Sequence, residues 1–501
     1  MVYFRRIKFP GRFFSGALSL FAVFSATAAD YYVNGRSGAD AHDGSSPSQA
    51  WQSLKRVNEQ VFQPGDRLWF KAGTRYTGQL APRGSGKLEN GRLETIQIGK
   101  YGRGPLPRID GAGQVPDTLL LRNVEFWEVQ DLEISNLGTN RAPGRTGVRI
   151  VSDGFGTMRH IHLRRLFVHD VNGDLRKSQE GCGIFFESRG RNNSLFDDLL
   201  IEDCHVVRTD RNGICQRGGG RTHSRHVVIR GNLLEDIGGD GLKLWGSDGG
   251  LIEHNVVRGG RERCNDYAAG IWPFDCDDTV IQFNEVSGMK GTRDGEGFDS
   301  DYLCHRSLFQ YNYSHDNDGG FILICAPRES YNEDTVIRYN ISQNDGIHTA
   351  RVFHFGGRST NTKVYNNTIY IGPNQDVPLL SFTDWNGGWA DGVKFYNNIF
   401  YVDGRVNYKW GKSEEKLFEN NVFFGNHDEI PPDAHAVTNR PPLVKPGSCG
   451  DGFTSLRGYK LKRASDFPHG RLVPENGGRD FFGQPVSPDR PPGIGAAEAA
   501  R

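Results

Sequence analysis

A short phrase recurs through the middle of this chain: a few β-branched or aromatic residues, an asparagine, then a glycine or aspartate turn. It reads VVIRGN at Asn232, LIEHN at Asn255, VIQFN at Asn284, LFQYN at Asn312, VIRYN at Asn340, KVYNN at Asn366, KFYNN at Asn397 and LFENN at Asn420. Successive asparagines lie 23, 29, 28, 28, 26, 31 and 23 residues apart. A fixed phrase at an elastic spacing belongs to stacked coils, because loops can lengthen without disturbing the strands that carry the stack. Each phrase is too short for a helix and rich in β-formers, so each is read as one strand. The expected fold is all-β: a right-handed parallel β-helix, with the asparagines bonding to one another along the stack as identical amides do in cross-β ladders.

The regular coils are expected over residues 92–425, an N-terminal cap and the first coils over 29–91, and an irregular tail over 426–501 that packs back on the solenoid. Ser45 to Ser48 offer N-caps, with Pro47 near a first turn, and Trp51, Leu54, Val57 and Val61 share one helical face. This predicts a short helix that covers the open edge of the first coil. Ahead of it, Arg5, Arg6, Lys8 and Arg12 precede an apolar run from Ser15 to Ala26 and the small residues Ala26-Thr27-Ala28. That pattern is a cleavable signal peptide over 1–28, which makes the mature chain secreted or periplasmic.

The 60 basic and 60 acidic residues cancel, which argues against nucleic acid or an anionic membrane surface as partner. Beyond the leader there is no apolar run of about 18 residues, so no transmembrane segment is expected, and the chain is read as a monomer. Among the eight cysteines, Cys264, Cys276 and Cys304 fall in or beside long loops and are candidate disulfide partners in an exported protein. Cys204 and Cys325 fall within strands, where a thiol packs as a small hydrophobe. The cysteines lack the spacing of a structural zinc site.

The opening V-N-G-x-x-G-A-D followed by D-G-S-S-P-S-Q-A-W-Q-S-L, the strand after P-G-D, and the ending R-D-F-F-G-Q-P with G-I-G-A-A-E resemble bacterial right-handed β-helix proteins. These belong to the broad pectate-lyase, polygalacturonase and β-helix glycosidase superfamily. The resemblance covers most of residues 30–498. It implies an enzyme acting on a polysaccharide or oligosaccharide with no required cofactor, and it specifies architecture more closely than reaction.

The chemistry is sought on one strand per coil, aligned on a glycine: Gly183-IFFE, Gly213-ICQR, Gly241-LKLW, Gly270-IWPFD, Gly297-FDSD and Gly320-FILI. Strand side chains alternate between faces. The first and third residues after each glycine are mostly apolar and are assigned to the core, Leu323 among them. The second and fourth then face out: Phe185/Glu187, Cys215/Arg217, Lys243/Trp245, Trp272/Phe274, Asp299/Asp301 and Ile322/Ile324. Coils stack about 4.8 Å apart and alternate residues about 6.7 Å apart, so Asp299, Asp301 and Asp275 fall within reach of one another. Paired carboxylates about 5–5.5 Å apart suit a retaining glycosidase and about 6.5–9.5 Å an inverting one. Close like charges raise one pKa, as a general acid requires.

The favoured expectation is therefore an exported glycoside hydrolase. Asp299, Asp301 and Asp275 are the acid–base candidates, and Trp245, Trp272, Phe274, Arg217 and Glu187 are the sugar-binding ones. The alternative is a polysaccharide lyase or uronan epimerase with Lys243 as base and Arg217 as carboxylate clamp. The phrase G-L-K-L-W-G resembles the lysine strand of calcium-dependent pectate lyases, but the preceding coil, GICQRGG, lacks their aspartates. A third reading is a carbohydrate-binding solenoid without catalysis. Asp294, Glu296, Asp299 and Asp301 are also a candidate Ca2+ cluster, and His305, His315, His348 and His354 are candidate relays. Asp240, between glycines, reads as a turn residue.

Overall fold

The alternation of the sequence becomes three long ladders of parallel strands. One ladder is a 15-stranded sheet, and the other two merge into a 23-stranded sheet. They merge because the long strand Ile399–Lys409 pairs with Thr368–Ile371 through its first half and with Asp376–Thr383 through its second. Every strand pairing among the described residues is parallel except the hairpin of Lys87–Glu89 with Arg92–Glu94. The computed structural model describes residues 28–177, 181–190, 193–218, 222–348, 350–386, 388–462 and 467–498. Apart from Ala28, the leader expected over 1–28 lies outside them. No helix of the described residues is long and apolar enough to cross a membrane.

One continuous core fills the coils. Leu242, Leu244, Ile271, Phe298 and Phe321 all lie in it, as their spacing predicts, each no more than 1% exposed. Burying such a side chain contributes about 1.5–3 kcal/mol, and every coil repeats the contribution.

The amide column forms, but its later members differ from those expected. The side-chain N–H of Asn232 donates to Asn255 (2.9 Å), and the chain of bonds continues through Asn284, Asn312, Asn340, Asn367, Asn398 and Asn421. Thus Asn366, Asn397 and Asn420 are not in the column. They hold positive φ of 53°, 53° and 58° one residue before it, the place taken by Gly231 and Tyr311 in other coils. Asparagine tolerates that left-handed turn, so in an Asn-Asn pair the first residue turns and the second stacks.

The cap is shorter than the apolar spacing suggests. An α-helix, α1, spans Leu54–Glu59, and the Ser53 hydroxyl accepts from the Arg56 N–H at 3.2 Å. Pro47–Gln49 forms only a 3-10 turn, and Val61 is 48% exposed. Tail residues Leu443, Leu456, Tyr459, Phe481 and Ile494 build a second apolar cluster on Tyr311, Tyr339, Tyr370 and Tyr401.

All eight cysteines are free and buried, which corrects the disulfide expectation for Cys264, Cys276 and Cys304. Cys276 and Cys304 turn into the core rather than into loops, each 0% exposed, and pack like Cys204.

Candidate active site

Seven strands of the large sheet carry the site: β1 (Cys182–Arg189), β2 (Asn212–Arg217), β3 (Leu242–Trp245), β4 (Ile271–Phe274), β5 (Glu296–Ser300), β6 (Gly320–Ala326) and β7 (Phe353–Gly357). Phe185, Cys215, Lys243 and Trp272 stand opposite one another in turn, as do Glu187 with Arg217 and Trp245 with Phe274. The next step pairs Ile271 with Phe298, so five coils share the register of their leading glycines.

The sixth does not. Gly320 stands opposite Glu296, one residue before Gly297, and this places Ile322 on Phe298 and Ile324 on Ser300. Ile322 and Ile324 therefore lie in the core, not outside. Leu323 and Cys325 line the cleft instead. Gly320, at φ 138°, opens β6 one step earlier in the register than the glycines of the other coils.

Above β2 to β6 is a cleft of about 730 Å3. Lys243, Trp245, Trp272 and Phe274 form one side, Asp299 and Asp301 the floor, and Leu323 and Cys325 the far side. Loops add Lys177, Tyr267, Asp294, Tyr302 and Trp385. The aromatic wall is continuous, with ring centroids 4.9 Å apart for Trp245–Phe274, 5.4 Å for Phe274–Tyr302 and 6.5 Å for Tyr302–Trp385. Trp385 lies flat over β7 because position 356 is glycine: a Cβ there would come within 2.8 Å of the indole.

The acidic floor is tightly drawn. Asp299, Asp301 and Cys325 each bring one side-chain donor atom within 4.8 Å of the others. The Cys325 thiol donates to Asp301 at 3.2 Å, and the Tyr302 backbone N–H donates to the same oxygen at 2.9 Å. Burial lifts Asp301 to about 6, against the pull of Lys177 and these two hydrogen bonds. Burial and the charge of Glu296 lift Asp294 to about 7. Burial first, then the Asp301 charge, hold Asp299 well above the usual carboxylate range. Three carboxyls therefore titrate as one interacting group, with protons available near neutrality.

Asp240 does more than close a turn. It is fully buried, meets Arg211 at 3.2 Å and accepts from the Trp272 indole N–H at 3.1 Å, so it fixes the plane of a cleft-wall ring. Lys243 lies 5.5 Å from the ring centroids of both Trp245 and Trp272. An ammonium over an indole ring makes a cation–π contact.

Several expected residues lie elsewhere. Asp275 leaves the strand at φ 52° and accepts from His223 at 3.2 Å, so it does not line the cleft. Glu187 is buried under Arg149 and Arg217 (2.5 and 3.8 Å) and serves as their counter-charge. Glu296 is fully buried; burial opposes its ionisation, but Arg351 at 2.8 Å and His354 hold it below its usual value. Of the four residues of the candidate Ca2+ cluster, Asp299 and Asp301 converge, together with the thiol of Cys325. His305, His315, His348 and His354 pair with Asp334, Asp316, Asp318 and Thr383 and do not line the cleft.

Fold and cleft together define a right-handed parallel β-helix protein. The family described as "Right handed beta helix region" matches residues 182–400. A lacto-N-biosidase of Bifidobacterium longum is 27% identical over 520 residues, covering 83% of this chain and 32% of its own. The chain thus spans about a third of that relative. The crystal structure of a GH136 lacto-N-biosidase from Eubacterium ramulus matches with a TM-score of 0.62 and 26% identity, over 78% of this chain and 68% of that one. The complex of XylC with xylose shares the fold at a TM-score of 0.56 and 10% identity, over 93% and 98% of the two chains.

Proposed function

We propose that this chain is an exported glycoside hydrolase that cleaves an oligosaccharide held along β2 to β6. The observation that carries the reading is the group of three protonatable carboxyls, Asp294, Asp299 and Asp301, on the floor of a cleft walled by aromatic rings. Sequence reading supplied Asp299 and Asp301 and treated Asp294 only as a calcium ligand. The likeness to lacto-N-biosidases, which extends over most of this chain, supports hydrolysis.

The roles follow from the local fields. Asp294, with a proton to give near pH 7, is the general acid that protonates the leaving oxygen. Asp301, lower at about 6 and facing two hydrogen-bond donors, is the carboxylate that acts at the anomeric carbon, as nucleophile or as base toward water. Burial and the Asp301 charge hold Asp299 well above the usual carboxylate range, which opposes a second negative charge on the floor. Trp272, braced by Asp240, and Trp245 stack on sugar rings. Lys243 serves as a cation within the wall.

The test is a panel of oligosaccharides and polysaccharides, lacto-N-biosides included, followed both for new reducing ends and for unsaturated products absorbing near the ultraviolet edge. Reducing ends alone are expected. Unsaturated products would move the chemistry to a lyase centred on Lys243. Neither product, together with measurable sugar binding, would leave a binding solenoid.

A further inference from the structure

The sixth coil breaks the register of the five before it, and the break decides what meets Asp301. Had Gly320 led β6 as Gly297 leads β5, Asp301 would stand beside Ile324, since each is the fourth residue after its glycine. Instead Ile324 stands opposite Ser300. The next residues, Asp301 and Cys325, then meet across one coil step of about 4.8 Å. The Cys325 thiol donates to Asp301 Oδ1 at 3.2 Å, and the Tyr302 backbone N–H donates to the same oxygen at 2.9 Å. A longer contact, 3.9 Å, joins the thiol to Asp299.

We propose that Cys325 is a positioning residue for hydrolysis: its S–H, with the Tyr302 N–H, pins Oδ1 of Asp301 and so turns Oδ2 toward the anomeric carbon. This rests on the reading of Asp301 as the carboxylate that acts there. An aspartate carboxyl has a broad, soft torsion at its end. Anchoring one oxygen removes that freedom before the substrate arrives, which is where orientation gains its effect on rate.

The thiol suits the task. Cys325 is buried within β6 and pairs across to Gly356 of β7, the seat of Trp385. Burial first, then the charges of Asp301 and Asp299, hold the thiol well above its ordinary range, so it keeps its proton and donates. A thiol is a weak donor. It orients the carboxylate without drawing off the charge that the anomeric carbon needs, as a hydroxyl or an ammonium would. The other titratable groups around the pair are Asp294, Glu296 and Asp299 on the β5 side, Asp240 ahead of β3, Lys177 from its loop and the Tyr302 hydroxyl. Substituting Cys325 leaves all of them in place, so a shift between Cys325 variants reads the thiol.

The experiment compares the mature wild type with Cys325→Ala, Cys325→Ser and Asp301→Asn. The probe is the 4-nitrophenyl glycoside of the best substrate from the panel above. Its leaving group needs little protonation, so the acid limb of the rate profile reports the acting carboxylate. A donor to a carboxylate favours its ionised form. Cys325→Ala should therefore move the acid limb of kcat/KM upward by about 0.5–1 pH unit. It should also lower kcat about 10–100-fold with little change in KM. Cys325→Ser restores a donor and should return the limb to the wild-type position or below it. A second measurement needs no substrate. The gap in thermal midpoint between wild type and Cys325→Ala should be wider at pH ~8, where Asp301 is ionised, than at pH ~5. The widening should vanish when both proteins also carry Asp301→Asn. The proposal is overturned if Cys325→Ala keeps the wild-type limb and kcat, if Cys325→Ser follows Cys325→Ala, or if the midpoint gap ignores pH. Turnover that survives Asp301→Asn, or no hydrolysis of any probe, instead overturns the role given to Asp301, and the midpoints still decide whether the thiol holds its carboxylate. Should Cys325→Ala fail to fold, Cys325→Val, which also lacks a donor, replaces it in both measurements.

Discussion

Replacing Asp294 by Asn should move activity and stability in opposite directions. In the unfolded chain this carboxyl ionises at its ordinary 3.8, and in the folded cleft at about 7. The folded state therefore holds an extra proton between those values. The associated stability is complete below pH ~4 and is lost as pH rises through 7. At about 1.36 kcal/mol per pH unit, the interval from 3.8 to about 7 corresponds to about 4 kcal/mol lost by the wild type at pH ~8. The variant has no charge to bury and escapes most of that loss. It also relieves Asp299, whose ionisation is opposed in part by Asp294. Turnover should fall about 10²–10⁴-fold, the usual worth of a general acid. Thermal midpoints at pH ~5 and pH ~8, with kcat/KM profiles across the same range, decide the matter. The wild-type profile should fall on an alkaline limb near pH 7 that the variant lacks. A variant that keeps its turnover, or that is less stable than wild type at both pH values, refutes the assignment.

Asp301→Asn should cost a similar factor of about 10²–10⁴ in turnover without unfolding the chain, checked by circular dichroism and initial rates. Lys243→Met should chiefly raise KM, and complete loss of turnover in that variant would favour the lyase chemistry instead. Asn312→Ala should destabilise the solenoid by at least about 3 kcal/mol, since several groups lose their partners at about 1–3 kcal/mol each; a thermal midpoint close to wild type would count against the amide column as a source of stability. Intact-mass measurement of exported protein should place the mature N-terminus at Ala29 or Asp30, and retention of Met1 would show the leader reading wrong.

The parallel stack and its inner face were legible because both rest on local alternation, which Leu242, Leu244, Ile271 and Phe298 obey without exception. The outward strip was legible through five coils for the same reason. It fails at β6, where Gly320 stands opposite Glu296 rather than Gly297, so that Ile322, Leu323 and Ile324 change face while Phe321 stays in the core. Asp275 was misplaced because its left-handed backbone ends the alternation one residue after Phe274. The loop contributors Lys177, Tyr267 and Trp385 had no strand to place them. Only the adjacent Gly356-Gly357 hinted that something bulky lies on β7. Asp294 was visible as a charge, but its raised pKa depends on burial that spacing cannot reveal.

The asparagine column measures strand position and takes no account of chain length. Each amide bonds across to the next coil, and whether 23 or 31 residues intervene makes no difference to it. The loops that carry Lys177, Tyr267 and Trp385 can therefore be lengthened, shortened or exchanged while the carboxyls on β5 and its flanking turns stay where they are. A solenoid of this kind can change the sugar it accepts by trading loops between coils, keeping its reaction centre through each exchange. Diversification of specificity then requires neither a new fold nor a new catalytic group.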